Sequence, residues 1–318
     1  MVQSNIAIIL AAGMGTRMKS NTLKPLHKIC GKEMLRILIS TLNKTKVEKI
    51  YVIIPPKADH IISLINNKNI EFIEQSNPNG TCGALIQAKE QIKNSENTLV
   101  LYADVPLIKE STINSLFNKH VKSKSEISLI TSYKENPKGF GRIIRSNNKS
   151  ITAIEEDKNI KNTIKKNIKE INVGVYYFKS QWLYHNISKI KPYNNEFLLT
   201  DIINIANIES KLITSIILDD LNEGIGINTM LDLSRANEIL RKRLLENLML
   251  KGINIIDPKS VYIDIDSVVR NNAILLPNTH ISGKSIIGNY SEIGPNTTIT
   301  NSIIGENSSI KNSIITES

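Results

Sequence analysis

An aliphatic residue returns at every sixth position through the C-terminal segment of this chain. Ile263, Val269, Leu275, Ile281, Ile287, Ile293 and Ile299 stand six apart; after a one-residue contraction the spacing resumes at Ile304 and Ile310, and after another comes Ile315. A second column of small or β-branched residues lies four positions after each: Ser267, Ala273, Thr279, Ser285, Ser291, Thr297, Ile303, Ser308 and Ile314. An amphipathic helix requires a period near 3.6 and a straight strand a period of 2, so neither accounts for the pattern. A hexapeptide-repeat β-helix does, because each hexad lays a short strand along one face of a triangular coil and turns its aliphatic side chain inward. Chance spacing in an isoleucine-rich chain is the competing explanation, and seven unbroken matches with a matching second column weigh against it. At three hexads per coil the segment holds about three coils, close to the minimum that stacked repeats need.

The 318 residues are about twice the usual prior for one domain, so a larger domain is expected before the repeats. Hydrophobic residues at 41% and charged residues at 22% are ordinary globular usage and exclude a disordered chain. Residues 6–10, 50–54, 70–74 and 98–102 read as buried strands, alternating with helical patterns at 32–42, 57–65 and 81–92. That alternation predicts an α/β domain with a mostly parallel sheet. Strand patterns then crowd together at 127–133, 141–145, 151–155 and 171–178, so the sheet is expected to become mixed. A helical pattern at 229–250 reads as a connector. The expected organisation is a catalytic-sized domain at 1–228, a linker helix at 229–252 and a short β-helix at 253–318.

Charge and cysteine content narrow the function classes. A net charge of +10 and a pI near 9.4 favour polyanionic partners such as nucleotides. Nucleic-acid binding is not expected, because Lys, Ile and Asn share A/T-rich codons and composition alone supplies most of the excess. Cys30 and Cys82 are the only cysteines and make neither a disulfide framework nor a zinc site, which fits a reducing compartment. The apolar run at 6–12 lacks a basic flank and is too short for a secretory core or a membrane span. A cytoplasmic protein without membrane association is expected.

The richest local motif is LAAGMGTRM at 10–18, followed by Lys24. A glycine-rich turn after a buried strand brings the backbone close to a ligand, and its free amides suit phosphate oxygens. Arg17 adds a bidentate cation and Lys24 a point charge. The dinucleotide fingerprint is only partly met, since Met18 stands at the third glycine, and no G-K-S/T follows to make a Walker A loop. This is a phosphate loop of another kind.

The string resembles the signature of the sugar-nucleotidyltransferases. Continued through Leu26-His27, Gly31-Lys32 and Met34, it resembles one branch, the bifunctional N-acetylglucosamine-1-phosphate uridyltransferase / glucosamine-1-phosphate acetyltransferase family. Gln75 with Gly80-Thr81, YADVPL at 102–107, GFGRI at 139–143, Glu156, Glu170-Ile171-Asn172 with Gly174, Thr200-Asp201-Ile202-Ile203 and Gly226-Ile227-Asn228 follow in the family's order. The resemblance implies a Rossmann-like nucleotidyltransferase domain followed by a left-handed parallel β-helix. It also implies Mg²⁺-dependent transfer of UMP from UTP to N-acetylglucosamine 1-phosphate for cell-wall and lipopolysaccharide precursors. In that family the β-helix runs on to carry the acetyl-CoA site and a catalytic histidine, so acetyltransferase activity is expected to be absent from this chain. A homotrimer through the β-helix is the assembly the resemblance suggests.

The family roles fall on particular residues here. Arg17 and Lys24 neutralise the triphosphate at the reacting centre; Leu10, Ala11, Ala12, Gly13, Tyr102 and Ala103 line the nucleotide; Gln75, Gly80 and Thr81 hold the uridine. Gly141, Glu156 and Asn172 hold the sugar, and Asp104 and Asn228 ligate Mg²⁺. From the residues alone, Asp104 at a strand's carboxyl end is either a ligand-crevice residue or the start of the Asp-Val-Pro turn. Asn228 before the long helix is either a ligand or its N-cap. Glu156 and Asn172 are otherwise a solvated strand face, whereas Gln75 has the donor and acceptor needed to read a pyrimidine edge. A hard ion with few protein oxygens fits Mg²⁺. His27 reads as structural. The chain departs from the family pattern in its Leu23-Lys24-Pro25 order, Ala103 for glycine, Gly83 for histidine and Met230 for arginine. A pyrophosphorylase for another sugar 1-phosphate, or a silent assembly subunit, are the alternative functions.

Overall fold

A computed structural model of the chain describes residues 3–65 and 69–318. They form two compact units: one runs to Leu26 and resumes with Leu35–Asn228, and the other comprises His27–Met34 and Thr229–Ser318.

The first unit is built on a nine-stranded mixed sheet. Seven strands lie in the order Ile213–Ile217, Ile127–Tyr133, Glu170–Lys179, Ser95–Tyr102, Gln3–Leu10, Lys49–Ile54, Ile70–Glu74. Gln3–Leu10 is parallel to both neighbours and Ile70–Glu74 extends the parallel run. Glu170–Lys179 is antiparallel to both of its neighbours and also pairs with Arg142–Arg145, which forms a hairpin with Ile151–Glu155. The β-branched runs are continuous because inner parallel strands are buried on both faces. Ala7 and Ile9 enter one core with Val52, Leu99 and Leu101, while Ile6 and Ile8 enter the other with Tyr51, Ile53 and Val100.

Two helices differ from the sequence expectation. The 32–42 pattern becomes helical only at Met34–Leu42, because Lys32–Glu33 pairs with Lys28–Ile29 across a turn in which Cys30 and Gly31 take positive φ. The 81–92 pattern splits into Thr81–Ile86 and Lys89–Lys93, yet Leu85, Ala88 and Ile92 all stay in one core. The apolar stripe survives the break, so periodicity alone could not reveal it.

In the second unit, Met230–Leu250 is one helix that opens with a capping box. The Thr229 hydroxyl accepts from the Asp232 N–H at 3.1 Å, and the Asp232 carboxylate accepts from the Thr229 N–H at 2.9 Å. Three parallel sheets follow, with the strands of one coil stacked on those of the next. Val268 pairs with Ile286 and Ile274 with Glu292, eighteen positions on, which is three hexads per coil. After the contraction Ile286 pairs with Ile303, one position fewer. Leu275, Ile281, Ile287, Ile293 and Ile299 form an essentially inaccessible stack with Leu245 against it. Each such side chain contributes about 1.5–3 kcal/mol.

The second column needs a correction beyond the contraction. Ser302 is buried there, while Ile303 and Ile314 are 69% and 82% exposed. The inward small residue therefore stands two positions before each stacked aliphatic, as Thr279, Ser285, Ser291, Thr297 and Ser302 do. The deleted residue comes from the turn, so counting forward across it slips the register and turns the side chain outward. Corners are made by left-handed asparagines, among them Asn278, Asn296 and Asn312, whose amides form a ladder at 3.0 and 3.1 Å. Asparagine tolerates that conformation better than other non-glycine residues. No helix among the described residues is long and apolar enough to cross a membrane.

Candidate active site

The parallel strands Gln3–Leu10 and Ser95–Tyr102 end side by side, where open α/β sheets place their ligand crevices. The Ala103 N–H donates to the Leu10 carbonyl at 3.1 Å, and the Ala11 N–H to that of Ile53 at 2.9 Å, so both chain ends leave the sheet at one level. A cavity of about 420 Å³ opens there, lined by Leu10, Ala11, Ala12, Gly13, Arg17 and Lys24 on one side. Gln75, Gly80, Thr81, Tyr102, Ala103, Asp104 and Asn228 also line it. A smaller cavity of about 150 Å³ contains Gly141, Glu156 and Asn172 and shares Arg17, Tyr102, Asp104 and Asn228 with the first. Every residue to which the resemblance gives a binding, metal or catalytic role thus borders one or both cavities.

At the shared boundary, Lys24 and Arg17 meet Asp104 and Asn228. The Lys24 ammonium donates to Asp104 Oδ2 at 2.5 Å and to Asn228 Oδ1 at 2.8 Å, and Arg17 Nη2 donates to the same Asn228 oxygen at 2.7 Å. Gly15 makes this approach feasible: its φ is 64°, and a Cβ on it would lie 2.7 Å from Lys24 Cβ. Lys24 itself begins a short 3-10 turn with Pro25 second, a position where a missing N–H costs nothing. Asn228 is drawn in by the Ile227 N–H, which donates to the Asp104 carbonyl at 2.8 Å. Thr229 caps the following helix, which leaves the Asn228 amide free of that duty.

Side-chain hydrogen bonds order the Gln75 and Thr81 part of the larger cavity. Gln75 Nε2 donates to Asn79 Oδ1 and to the Gly80 carbonyl, both at 3.3 Å. Thr81 Oγ1 accepts from the Leu199 N–H at 3.0 Å. Gly83 is enforced locally, since a Cβ there would run into the Asn79 side chain. In the smaller cavity the Thr200 hydroxyl donates to Glu156 Oε1 at 3.1 Å. Burial pushes the Glu156 carboxyl above its ordinary range, opposed by that hydrogen bond and by Lys158. Burial likewise raises the Tyr102 hydroxyl, with the Glu156 carboxylate adding to it.

Asn172 lies at an irregularity in Glu170–Lys179. Its backbone pairs with Thr131, but Tyr176 pairs with Leu129, so the register shifts between them. Its N–H donates to the Gly141 carbonyl at 2.9 Å. Sequence reasoning missed Thr200 as the Glu156 partner, Glu196 and Pro78 as members of the larger cavity, and Tyr176 beneath the smaller one. Only Thr200 carried a signal, within the Thr200-Asp201 segment.

Asp104 and Asn228 offer hard oxygen ligands converging on one point, now the Lys24 ammonium. No cluster of three or more His, Cys, Asp or Glu exists among the described residues. A pair of oxygens with the remainder left to phosphate and water suits a small divalent cation.

The Nucleotidyl transferase family pattern matches residues 6–222, and the Bacterial transferase hexapeptide (six repeats) pattern matches 266–301. The chain is 37% identical over 301 residues to the Bifunctional protein GlmU of Clostridium botulinum (strain Eklund 17B / Type B), covering 94% of this chain and 66% of that protein. It is 34% identical over 315 residues to the Bifunctional protein GlmU of Streptococcus agalactiae serotype V, covering 95% and 68%. It thus spans about two thirds of the length of these relatives. A Bacillus anthracis structure assigned as a glucose-1-phosphate thymidylyltransferase matches with a TM-score of 0.60 at 19% identity, over 74% of this chain and 95% of that one. At that identity it attests the fold alone.

Proposed function

The chain belongs to the nucleotidyl transferase family, with bifunctional GlmU proteins as relatives, and on that premise we propose that it transfers UMP from UTP to N-acetylglucosamine 1-phosphate. The observation that carries the proposal is the pairing of Lys24 and Arg17 with Asp104 and Asn228 at the boundary shared by two cavities. One cavity takes the nucleotide and the other the sugar phosphate, so the reacting phosphates meet where both cations and both oxygen ligands are within reach.

A phosphate oxygen of the sugar phosphate attacks the α-phosphorus of UTP. The bond from that phosphorus to the β-phosphate oxygen breaks, giving UDP-N-acetylglucosamine and pyrophosphate. The nucleophile is already an anion and needs no general base, so positioning and charge neutralisation carry the reaction. Arg17 faces the triphosphate and the departing pyrophosphate, and Lys24 the phosphates at the reacting centre. Gln75, Gly80 and Thr81 hold the uridine, Leu10 to Gly13 approach the nucleotide through backbone, and Gly141, Glu156 and Asn172 orient the sugar. Asp104 and Asn228 would hold Mg²⁺, which when bound neutralises charge on the phosphates.

The catalytic unit is assigned to residues 1–228, the linker helix to 229–252 and the β-helix to 253–318. We further place the protein in the cytoplasm, whose reducing conditions suit the two buried free thiols, and assign self-association as a homotrimer to the β-helix. Pyrophosphate release from UTP and N-acetylglucosamine 1-phosphate with Mg²⁺ tests the reading. Asp104→Ala should lower the rate by at least about 10²-fold. Release with glucose 1-phosphate matching that with the acetylated sugar would refute the substrate assignment; no release, or release unchanged in the variant, would refute the activity.

A further inference from the structure

Tyr176 is fully buried and borders neither cavity, yet its hydroxyl meets a residue that does. Asn172 Nδ2 donates to Tyr176 Oη at 2.5 Å, while Asn172 Oδ1 accepts from the Gly174 N–H at 3.1 Å. The backbone N–H of Gly174 can only donate, so the amide oxygen must face it and the nitrogen must face Tyr176. Tyr176 is itself immobilised, edge-on to Tyr102 with ring centroids 6.3 Å apart and stacked on Phe178 at 5.9 Å, and its hydroxyl also engages that of Tyr102. Burial, followed by the neighbouring Tyr102 and Glu156, raises its pKa well above that of a free phenol, so the hydroxyl keeps its proton.

We propose that Tyr176 is a positioning residue for the sugar phosphate, anchoring the nitrogen end of the Asn172 amide, whose orientation Gly174 sets, so that Asn172 offers its remaining N–H to the ligand. The inference rests on the reading of the smaller cavity as the sugar site. Its chemistry follows from the amide's geometry. One N–H is consumed by Tyr176 and one oxygen lone pair by Gly174, so the group left toward the cavity includes a donor matched to an acceptor oxygen on the sugar. Without the phenol oxygen, that nitrogen loses its internal partner and the amide is held at one end only. Asn172 borders the smaller cavity and not the larger, so the loss should fall on the sugar phosphate rather than on UTP.

Tyr176→Phe deletes only the oxygen. Steady-state pyrophosphate release, with each substrate varied in turn, should show the KM for N-acetylglucosamine 1-phosphate rising about three- to twelvefold, within the range expected for one hydrogen bond. The KM for UTP should stay within about twofold. In the Asn172→Ala background, itself impaired, Tyr176→Phe should add nothing when both are built on Tyr102→Phe, which removes the other partner of the Tyr176 hydroxyl, because a residue then acting through one partner is fully non-additive with it. Circular dichroism checks that each variant folds, as expected for Tyr176→Phe, which keeps the ring packed on Tyr102 and Phe178. Equal rises in both KM values, or an additive effect in the double variant, would overturn the inference while leaving the activity intact. No release by the unaltered protein would overturn the functional reading and this inference with it.

Discussion

Gly174→Ala offers a stringent test of how the sheet shapes the site. Gly174 lies within the register shift between Asn172 and Tyr176 at φ 85°, and a Cβ on it would sit 2.5 Å from Tyr102 Cδ2. The left-handed backbone costs an L-residue about 1–2 kcal/mol, and forcing the extra methyl into packed surroundings costs about 1–3 kcal/mol. Together these predict a destabilisation of about 2–5 kcal/mol, which for a unit of this size lowers Tm by about 4–20 °C. To reach an ordinary carbon–carbon contact of about 3.5 Å the Tyr102 ring must retreat by about 1 Å. Tyr102 borders both cavities, and misplacement on that scale costs about 10²-fold in rate. Thermal melting by circular dichroism and pyrophosphate release measure the two effects separately. A Tm within 2 °C of the unaltered protein's, with kcat/KM within about twofold, would refute the wedge between Gly174 and Tyr102.

Asn228→Ala and Thr229→Ala should separate cleanly. The first removes the oxygen shared by Arg17 and Lys24 and lowers pyrophosphate release at least about 10²-fold with little change in helix stability; the second loses the capping box and about 1 kcal/mol in denaturant unfolding. Glu156→Gln tests the raised carboxyl. The folded state binds that proton more tightly than the unfolded chain, so stability is lost as pH rises from the ordinary glutamate range through the raised value. The glutamine protein should therefore gain in Tm over the unaltered one toward neutral pH, while its KM for the sugar phosphate rises; a parallel pH profile for both proteins would refute the burial argument. Ile287→Ala opens a cavity in the inaccessible stack and should destabilise the second unit by about 2–5 kcal/mol, read as a lowered denaturant midpoint.

Much of the site was legible because its pieces are local. The glycine-rich string at 10–18 marks a strand that ends in a turn at the larger cavity, and Asp104 follows the end of the neighbouring strand. What was not legible depended on partners far away in the chain. Whether Asn228 caps the helix or faces the site turned on the next residue, Thr229, and its reciprocal bonds with Asp232. Thr200 could not be matched to Glu156 across 44 positions, and nothing in the Tyr176-Tyr177-Phe178 run marks which ring carries a hydroxyl under Asn172.

The abundance of asparagine also changes meaning with structure. Codon bias explains it as composition, but in the β-helix Asn278, Asn296 and Asn312 occupy left-handed corners and bond to one another between coils.

By itself, the sequence determined the periods: alternation and continuous apolar runs for the sheet, and six-residue spacing for the coils. Burial of apolar side chains is non-directional and follows backbone geometry repeating over a few residues, so such patterns survive without knowledge of the fold. Only the tertiary structure decided where the contracted turn lost its residue, which end of the Asn172 amide faces Tyr176, and that Lys24 meets Asp104 and Asn228 across 80 and 204 positions. Hydrogen bonds and ion pairs are directional over about 3 Å, and whether two distant groups come that close is settled by the packing of everything between them.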